Sequence, residues 1–543
     1  MFAQVATRAA ARALGLPPAP AGTVTTRRDL RVRVRDGVAL LTDHYATDVP
    51  GAGTVLIRTP YGRGGPVTLL GRLIAERGLH CVIQSCRGTF GSGGTFEPML
   101  HERDDGLDTV EWLRRQPWYG GALGMFGASY QGFTQWAVAP HIGPELRAMV
   151  LVCTASEARA STYAGEAFSL DTVLTWAELL SAQDEPFLSR QIELRRGQPR
   201  LRTGLGTLPL AAADVAATGA AVPFFQAWLR EVEPGSAYWR ERMFDHGVPA
   251  VTAPIAMITG WHDIFLPAQL RDYAALRAAG AAPSLTIGPW THGSPGLLGA
   301  SLREGLGFLA AHLAPGGPPA AAPGTVRLHV GNAGWRHVPE WPPPAAPVPL
   351  FLAPGGELAA SPPPAADPSR FVYDPADPTP SVGGAVLVAQ KAGRFDNREL
   401  ERRADVLTFT GPPLAAPREV VGEVSATIHV RGEPEFFDVF VRLCDVDPRG
   451  RSWNVCDGLV RVAPGRFPRD ADGVTAVRLP LYPTAYRFPG GHRIRVQVSG
   501  GAHPRWARNP GTGEPLGTAV ELRGGARWIF HDAARPSAVH LPS

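Results

Sequence analysis

The sharpest chemical signal in the chain is Gly127-Ala128-Ser129-Tyr130-Gln131-Gly132. This Gly-x-Ser-x-Gly pattern lies between a strand-like run, Leu123–Gly127, and a helix starting near Tyr130. In that context the two glycines permit a tight turn that lifts a serine hydroxyl above a sheet edge, near a helix N-terminus. A hydroxyl is a weak nucleophile until a base takes its proton, so the pattern calls for a histidine and an acid to orient it. On strand–turn–helix folds of this kind they follow in the order Ser, acid, His, in loops after later strands. Strand-like Pro254–Thr259 runs into Gly260-Trp261-His262-Asp263, and Ser284–Ile287 into Gly288-Pro289-Trp290-Thr291-His292. Ser129, Asp263 and His292 are therefore expected at one sheet edge, as nucleophile, orienting acid and general base. His262 is a rival base, disfavoured because it adjoins the acid on the wrong strand loop.

Acyl transfer also needs donors for a developing oxyanion. The N–H of Tyr130, next after the nucleophile, is one. The second is sought in the loop Thr59-Pro60-Tyr61-Gly62-Arg63, which has no glycine run, so the Tyr61 phenol is the candidate. Trp136, Trp261, Phe265 and Trp290 are expected to line an apolar substrate pocket. Tyr163, Phe168 and Trp176 could close it, and Glu157, Glu166, Asp171, Glu178 and Asp184 are the acids available there to hold a free amine.

The elements that must position these groups alternate strand and helix over the first 150 residues, which implies a parallel sheet covered on both faces. Residues 157–248 lack a good strand and read as an inserted helical cap. Strand rhythm returns at 254. After the Pro-rich Leu313–Gly324 nearly every segment reads as a strand, beginning with Thr325–Val330, which suggests an antiparallel sandwich of the jelly-roll kind. The expected architecture is α/β: a tail over 1–24, a core over 25–156 and 249–315, the cap over 157–248, and a sandwich over 316–543.

Composition excludes several chemistries. The chain has 543 residues and 53 basic side chains, but one lysine, Lys391. No Gly-Lys-Ser/Thr phosphate loop exists, and a Schiff base or Ser–Lys dyad would have to use Lys391, which falls in the β-rich region, away from the elbow. The net charge is +4 with no basic tract, so nucleic acid is not an expected partner. No apolar run is long enough to span a membrane. Five cysteines, an odd number, fit free thiols in a reducing compartment, and a cytoplasmic location is expected. Whether Cys444 and Cys456 pair is left open. Neither a metal nor a cofactor is expected, since the cysteines lack metal spacing and no His-x-x-x-His occurs with glutamate. The expected partner is a small-molecule ester or amide, with a homodimer left open.

Together the segments Arg58-Thr-Pro-Tyr-Gly62, Val82–Gly88, Gly124–Trp136, Gly260-Trp-His-Asp263 and Ile287-Gly-Pro-Trp-Thr-His292 resemble the cocaine esterase and X-Pro dipeptidyl-peptidase family of serine hydrolases. The resemblance runs from about residue 30 to the end and includes His503-Pro504-Arg505 and Arg508-Asn509-Pro510. It implies an α/β-hydrolase core, a helical cap and a C-terminal jelly roll, with Ser129, Asp263 and His292 as the catalytic set and Tyr61 as the oxyanion tyrosine. One departure is Ser85, where the family commonly has Asp, which puts local loop packing in question. The activity expected is ester or amide hydrolysis of a small acyl substrate through an acyl-enzyme. Xaa-Pro dipeptidyl-peptidase and α-amino acid ester hydrolase or acylase are the alternatives within the family. A carbohydrate- or partner-binding protein on the same scaffold is the non-enzymatic one.

Overall fold

A computed structural model describes residues 2–16, 19, 23–181, 187–388 and 390–542. Strands β1 (Thr25–Arg33), β2 (Ala39–Ala46), β3 (Thr54–Thr59), β4 (His80–Ser85), β5 (Leu123–Ala128) and β6 (Leu146–Val152) build the first part of a sheet. The hairpin β7 (Tyr163–Ala164) and β8 (Ala167–Phe168) lies in the cap. Strands β9 (Ile255–His262), β10 (Ser284–Thr291), β11 (Val326–Val330) and β12 (Gly334–Val338) complete the sheet, in the order β1-β2-β4-β3-β5-β6-β9-β10-β11-β12. From β4 to β11 every neighbouring pair is parallel. Every residue of β3 and β4 is buried, the expected cost in polarity of a parallel sheet covered on both sides.

Helices α1 (Phe2–Ala13), α2 (Pro66–Ala75), α3 (Glu102–Arg114) and α4 (Tyr130–Ile142) precede the cap. The cap holds α5 (Arg159–Thr162), α6 (Leu170–Ser181), α7 (Phe187–Gly206), α8 (Ala213–Thr218), α9 (Pro223–Arg230) and α10 (Ala237–Arg240). After it come α11 (Leu266–Ala278) and α12 (Pro295–Leu313). The alternation of side chains along each strand divides the core into two apolar layers. Leu123 and Met125 of β5 pack with Val110 and Leu113 of α3, Phe133 of α4 and Leu276 of α11. Phe126 packs on the opposite face with Leu73 of α2 and Leu306 and Leu309 of α12.

Chain order reverses around β3: β4 lies on one side of it and β5 on the other. At such a switch point the two following loops diverge and leave a crevice beyond the carboxyl ends of the strands. The loops after β3 and β5 carry Tyr61 and Ser129.

The sandwich boundary expected at 316 needs correction. Val326–Val330 pairs in parallel with β10, and Gly334–Val338 closes that edge antiparallel, so the hydrolase sheet recruits two strands from beyond the Pro-rich linker. The pattern Val326, Leu328, Val330 suits either sheet face, which is why sequence could not assign it. The remaining β-rich region is an 11-stranded sheet with a separate ribbon, Arg418–Gly422 against Thr484–Phe488, around its own core. Cys444 and Cys456 sit on paired strands out of register, Cys444 opposite Asn454 and Cys456 opposite Leu443, and all five cysteines are free and buried.

The β7–β8 hairpin fastens the cap to this region. Its turn residues, Gly165 (φ 62°) and Glu166 (φ 63°), both lie in the left-handed region, as a type I′ turn requires. The Gly165 carbonyl accepts from the N–H of Arg461 at 2.9 Å. A Cβ on Gly165 would fall 1.7 Å from the Leu459 carbonyl oxygen. Gly165→Ala is expected to lower stability by roughly 2–4 kcal/mol through overpacking and left-handed strain. Chemical denaturation checks this, and an unchanged midpoint would show that the hairpin does not bear on the contact.

Candidate active site

Ser129 ends β5 and precedes α4 with φ 57° and ψ −126°, a conformation unfavourable for any residue with a Cβ. Its surroundings hold it there. Its N–H donates to the Val152 carbonyl (2.9 Å), and its own carbonyl accepts from the Thr154 hydroxyl (2.7 Å) and from the Gly132 N–H (2.9 Å). The flanking glycines are dictated by close approach. A Cβ at Gly127 would meet Gln131 at 2.3 Å, and one at Gly132 would meet Thr154 at 2.4 Å. Tyr130 opens α4, so its N–H has no partner within the helix and is available to an anion.

Asp263 and His292 follow β9 and β10. Asp263 is fully buried, and both of its oxygens have partners: Oδ2 meets His292 Nδ1 at 2.7 Å, and Oδ1 accepts from the Phe265 N–H at 2.7 Å. The second bond fixes the carboxylate plane, and the first orients the imidazole so that its other nitrogen faces outward. Cys153, buried with φ 42°, brings its sulfur within 4.8 Å of these donor atoms. These three groups form the one metal-type cluster among the described residues, but Asp263 and His292 already spend their facing atoms on each other. Sequence offered no signal for Cys153 here.

Tyr61 stands across the crevice. Its N–H is spent on the Thr59 hydroxyl (3.1 Å), which leaves the phenol as the group this loop can offer. The phenol accepts from Trp176 Nε1 at 3.1 Å and lies within hydrogen-bonding reach of Ser129. Burial pushes it up to about 12, so it stays a protonated donor at neutral pH. Its loop is packed despite Ser85. Arg63 reaches Asp29 (2.6 Å), Asp43 (3.1 Å) and the Ser85 hydroxyl, so carboxylates from β1 and β2 tie down the segment.

Two chambers meet at Ser129. The first is walled mainly by Met99, Tyr130, Phe133, Trp176, Trp228 and Phe265 and is mostly apolar, with Thr154, Glu157, Ser161 and Thr172 also on its lining. The second is bounded by Tyr61, Gln131, Glu178, Gln198, His292 and Gln390. Of the four aromatics expected to line a pocket, Phe265 does so. The other three need correction. Trp136 is buried in the core on α4. Trp261 donates to the His329 carbonyl (2.7 Å) and packs on Trp341. Trp290 lies over Gly288 and against Trp335. Position along a loop does not give side-chain direction, and alternate residues after a strand point to opposite sides. Trp176 does close the pocket, whereas Tyr163 and Phe168 pack within the cap core. Trp228 of α9 and Leu387 of the β-rich region were missed, because only the tertiary arrangement brings them to the site.

His262 turns from the site toward Asp457, Arg394, Arg505 and Arg442 of the β-rich region, and burial lowers it to about 4. Lys391 needs relocating: it directly follows Gln390, which lines the second chamber, although Lys391 itself is exposed. Among the cap acids, Glu157 pairs with Arg271 (3.2 Å), Glu166 with Arg159 (2.6 Å), and Asp171 accepts from the Leu387 N–H (3.2 Å). Asp184 lies outside the described residues.

Behind the elbow is a buried charge network. The Tyr130 hydroxyl donates to Glu102 (2.8 Å) and accepts from the Met99 N–H (2.7 Å). Glu102 also pairs with Arg58 at 2.8 Å, both nearly inaccessible. Removing one partner of a buried pair costs ~3–5 kcal/mol because the other charge is stranded. Glu102→Gln is therefore expected to destabilise the protein by about that much, and equilibrium denaturation measures it. A change below about 1 kcal/mol would show that Asp105, 3.9 Å from Arg58, suffices alone.

Comparison with known proteins places the chain in a family. Residues 36–294 match the X-Pro dipeptidyl-peptidase (S15 family) model, and residues 320–540 match the X-Pro dipeptidyl-peptidase C-terminal non-catalytic domain. Cocaine esterase of Rhodococcus sp. (strain MB1 Bresler) is 30% identical over 96% of this chain and 99% of its own. Two solved structures share the fold over 97% of this chain and 98% of theirs. One is an α-amino acid ester hydrolase (TM-score 0.80, 24% identity), the other an aminopeptidase from a marine sediment Thaumarchaeota archaeon (TM-score 0.81, 22% identity). No helix among the described residues is long and apolar enough to cross a membrane. With its elbow serine, its buried acid–histidine pair and this extent of similarity, the chain belongs to the cocaine esterase and X-Pro dipeptidyl-peptidase family of serine hydrolases.

Proposed function

We propose that the chain is a carboxylic ester hydrolase for substrates with an apolar acyl group, acting through an acyl-enzyme on Ser129. The supporting observation is the apolar first chamber that opens on Ser129. The acyl group enters it, and Ser129 Oγ attacks the carbonyl carbon while His292 takes the hydroxyl proton. The Tyr130 N–H and the Tyr61 phenol stabilise the tetrahedral oxyanion. As the intermediate collapses, the imidazolium returns the proton to the leaving alkoxide, and Asp263 stabilises the transient positive charge. Water, deprotonated by His292, then attacks the acyl-enzyme and releases the acid and the free serine.

The chamber also bears on the peptidase alternative. A dipeptidyl-peptidase must hold a free ammonium on the acyl side. The carboxylate lining that chamber, Glu157, is already paired with Arg271. With that carboxylate occupied, an ester suits the chamber better than a peptide with a free amine.

Hydrolysis of p-nitrophenyl butyrate is expected to exceed that of Gly-Pro-p-nitroanilide, and the reverse order would overturn the ranking. Asp263→Asn should lower kcat by on the order of 10⁴, because the imidazole takes the wrong tautomer. Tyr61→Phe should lower it by ~10²–10³ with less effect on KM, as expected of a donor used mainly in the transition state. Steady-state kinetics on the same ester measure both. An unaltered kcat in Tyr61→Phe would remove the phenol from the oxyanion site.

A further inference from the structure

The nucleophile and its acid follow different strands, and one buried side chain spans the gap between them. Gln269 projects from α11, the helix into which the Asp263 loop opens, and it is fully buried. Its Oε1 accepts from the Thr154 N–H (3.2 Å), and its Nε2 donates to the Leu151 carbonyl (3.1 Å). The two bonds close over Val152 and Cys153, the turn that ends β6. Cys153 lies in the left-handed region (φ 42°), which is strained for a residue with a Cβ. Such a turn persists only where its surroundings over-determine it, and the Gln269 amide binds both of its ends.

That turn is what grips Ser129. Val152 offers the carbonyl that accepts from the Ser129 N–H, and Thr154 the hydroxyl that donates to the Ser129 carbonyl. The backbone of Gln269 leads the other way, to the acid. Its N–H donates to the Phe265 carbonyl (2.8 Å), and the Phe265 N–H donates to Asp263 Oδ1. One turn further along α11, Asp272 accepts from the N–H (2.9 Å) and the hydroxyl (2.6 Å) of Ser156. Residues three apart share a helix face, so α11 holds the segment after β6 at two points. Gln269 lines neither chamber. Packing alone would be served by an apolar side chain, without the cost of burying an amide.

We infer that Gln269 is a positioning residue for the reaction. By bracing the Leu151–Thr154 turn from α11, it sets Ser129 Oγ relative to the Asp263–His292 pair. The inference rests on the acyl-enzyme reading above and adds to it a link between elbow and acid.

Gln269→Met removes both side-chain bonds at nearly constant volume. Hydrolysis of p-nitrophenyl butyrate tests it, with kcat expressed per site titrated by a fluorophosphonate probe. That kcat should fall ~10–10²-fold with little change in KM, the effect of a slightly displaced reacting atom. A residue that only stabilised the fold would lower the number of titratable sites and leave kcat per site unaltered. Thr154→Val removes the next link, the hydroxyl bond to the Ser129 carbonyl. Because the two links act in series, the double variant should be no slower than the slower single one, whereas independent effects multiply. Gln269→Asn, one methylene too short to reach both partners, replaces the methionine variant if that does not fold. An unaltered kcat per site, a loss carried by KM, or losses that multiply in the double variant overturn the inference. With the unaltered protein active, those results remove this inference alone. An unaltered protein that neither takes the probe nor cleaves the ester removes the acyl-enzyme reading with it.

Discussion

Holding a non-glycine residue in left-handed backbone space costs ~1–3 kcal/mol, and Ser129 is so held at the tip of a buried strand. Much of the surrounding structure keeps it there. The β6 carbonyl of Val152 and the Thr154 hydroxyl bind its backbone on one side, and the first turn of α4 binds it on the other. Two glycines remove side chains that would clash, one with that turn at Gln131 and the other with Thr154. The strain is local, but it aims the hydroxyl and the following N–H into one crevice, which neither a regular strand nor a regular helix would do.

Buried charge holds the periphery in place. Arg58, Glu102 and the Tyr130 phenol lock the residue after the nucleophile from behind. Arg63 with Asp29 and Asp43 locks the facing loop. In the β-rich region Asp457 accepts from both Arg442 and Arg505, and the neighbouring Pro504 carbonyl takes the N–H of Asp171 at the start of α6. That chain of contacts connects the sandwich to the helix that carries Trp176 and Glu178. The C-terminal region therefore shapes the site, through Leu387 and Gln390, as well as bracing it.

The parts of this protein legible in its sequence were those encoded by short-range constraints. Gly-x-Ser-x-Gly between a strand and a helix specifies a turn, and chain order after β9 and β10 places Asp263 and His292 at the same edge. The apolar runs of β3 and β4 and the proline-rich linker are local signals of the same kind, whereas the two-residue turn of the β7–β8 hairpin was not read from the cap sequence. Three of the four aromatics assigned to the pocket were misplaced, because Trp136, Trp261 and Trp290 point into packing that only the tertiary fold defines. For the same reason Val326–Val330 joined the wrong sheet on paper: its alternation fits either one. Lys391, remote in sequence, adjoins the site because a loop of the β-rich region folds over it.

The central claim is that Ser129 is the residue acylated in the reaction. Incubation with a fluorophosphonate probe, followed by peptide mapping by mass spectrometry, tests it most directly. The account predicts a single stoichiometric adduct on the peptide containing Ser129. Labelling of another residue, or no labelling of folded protein, would contradict it.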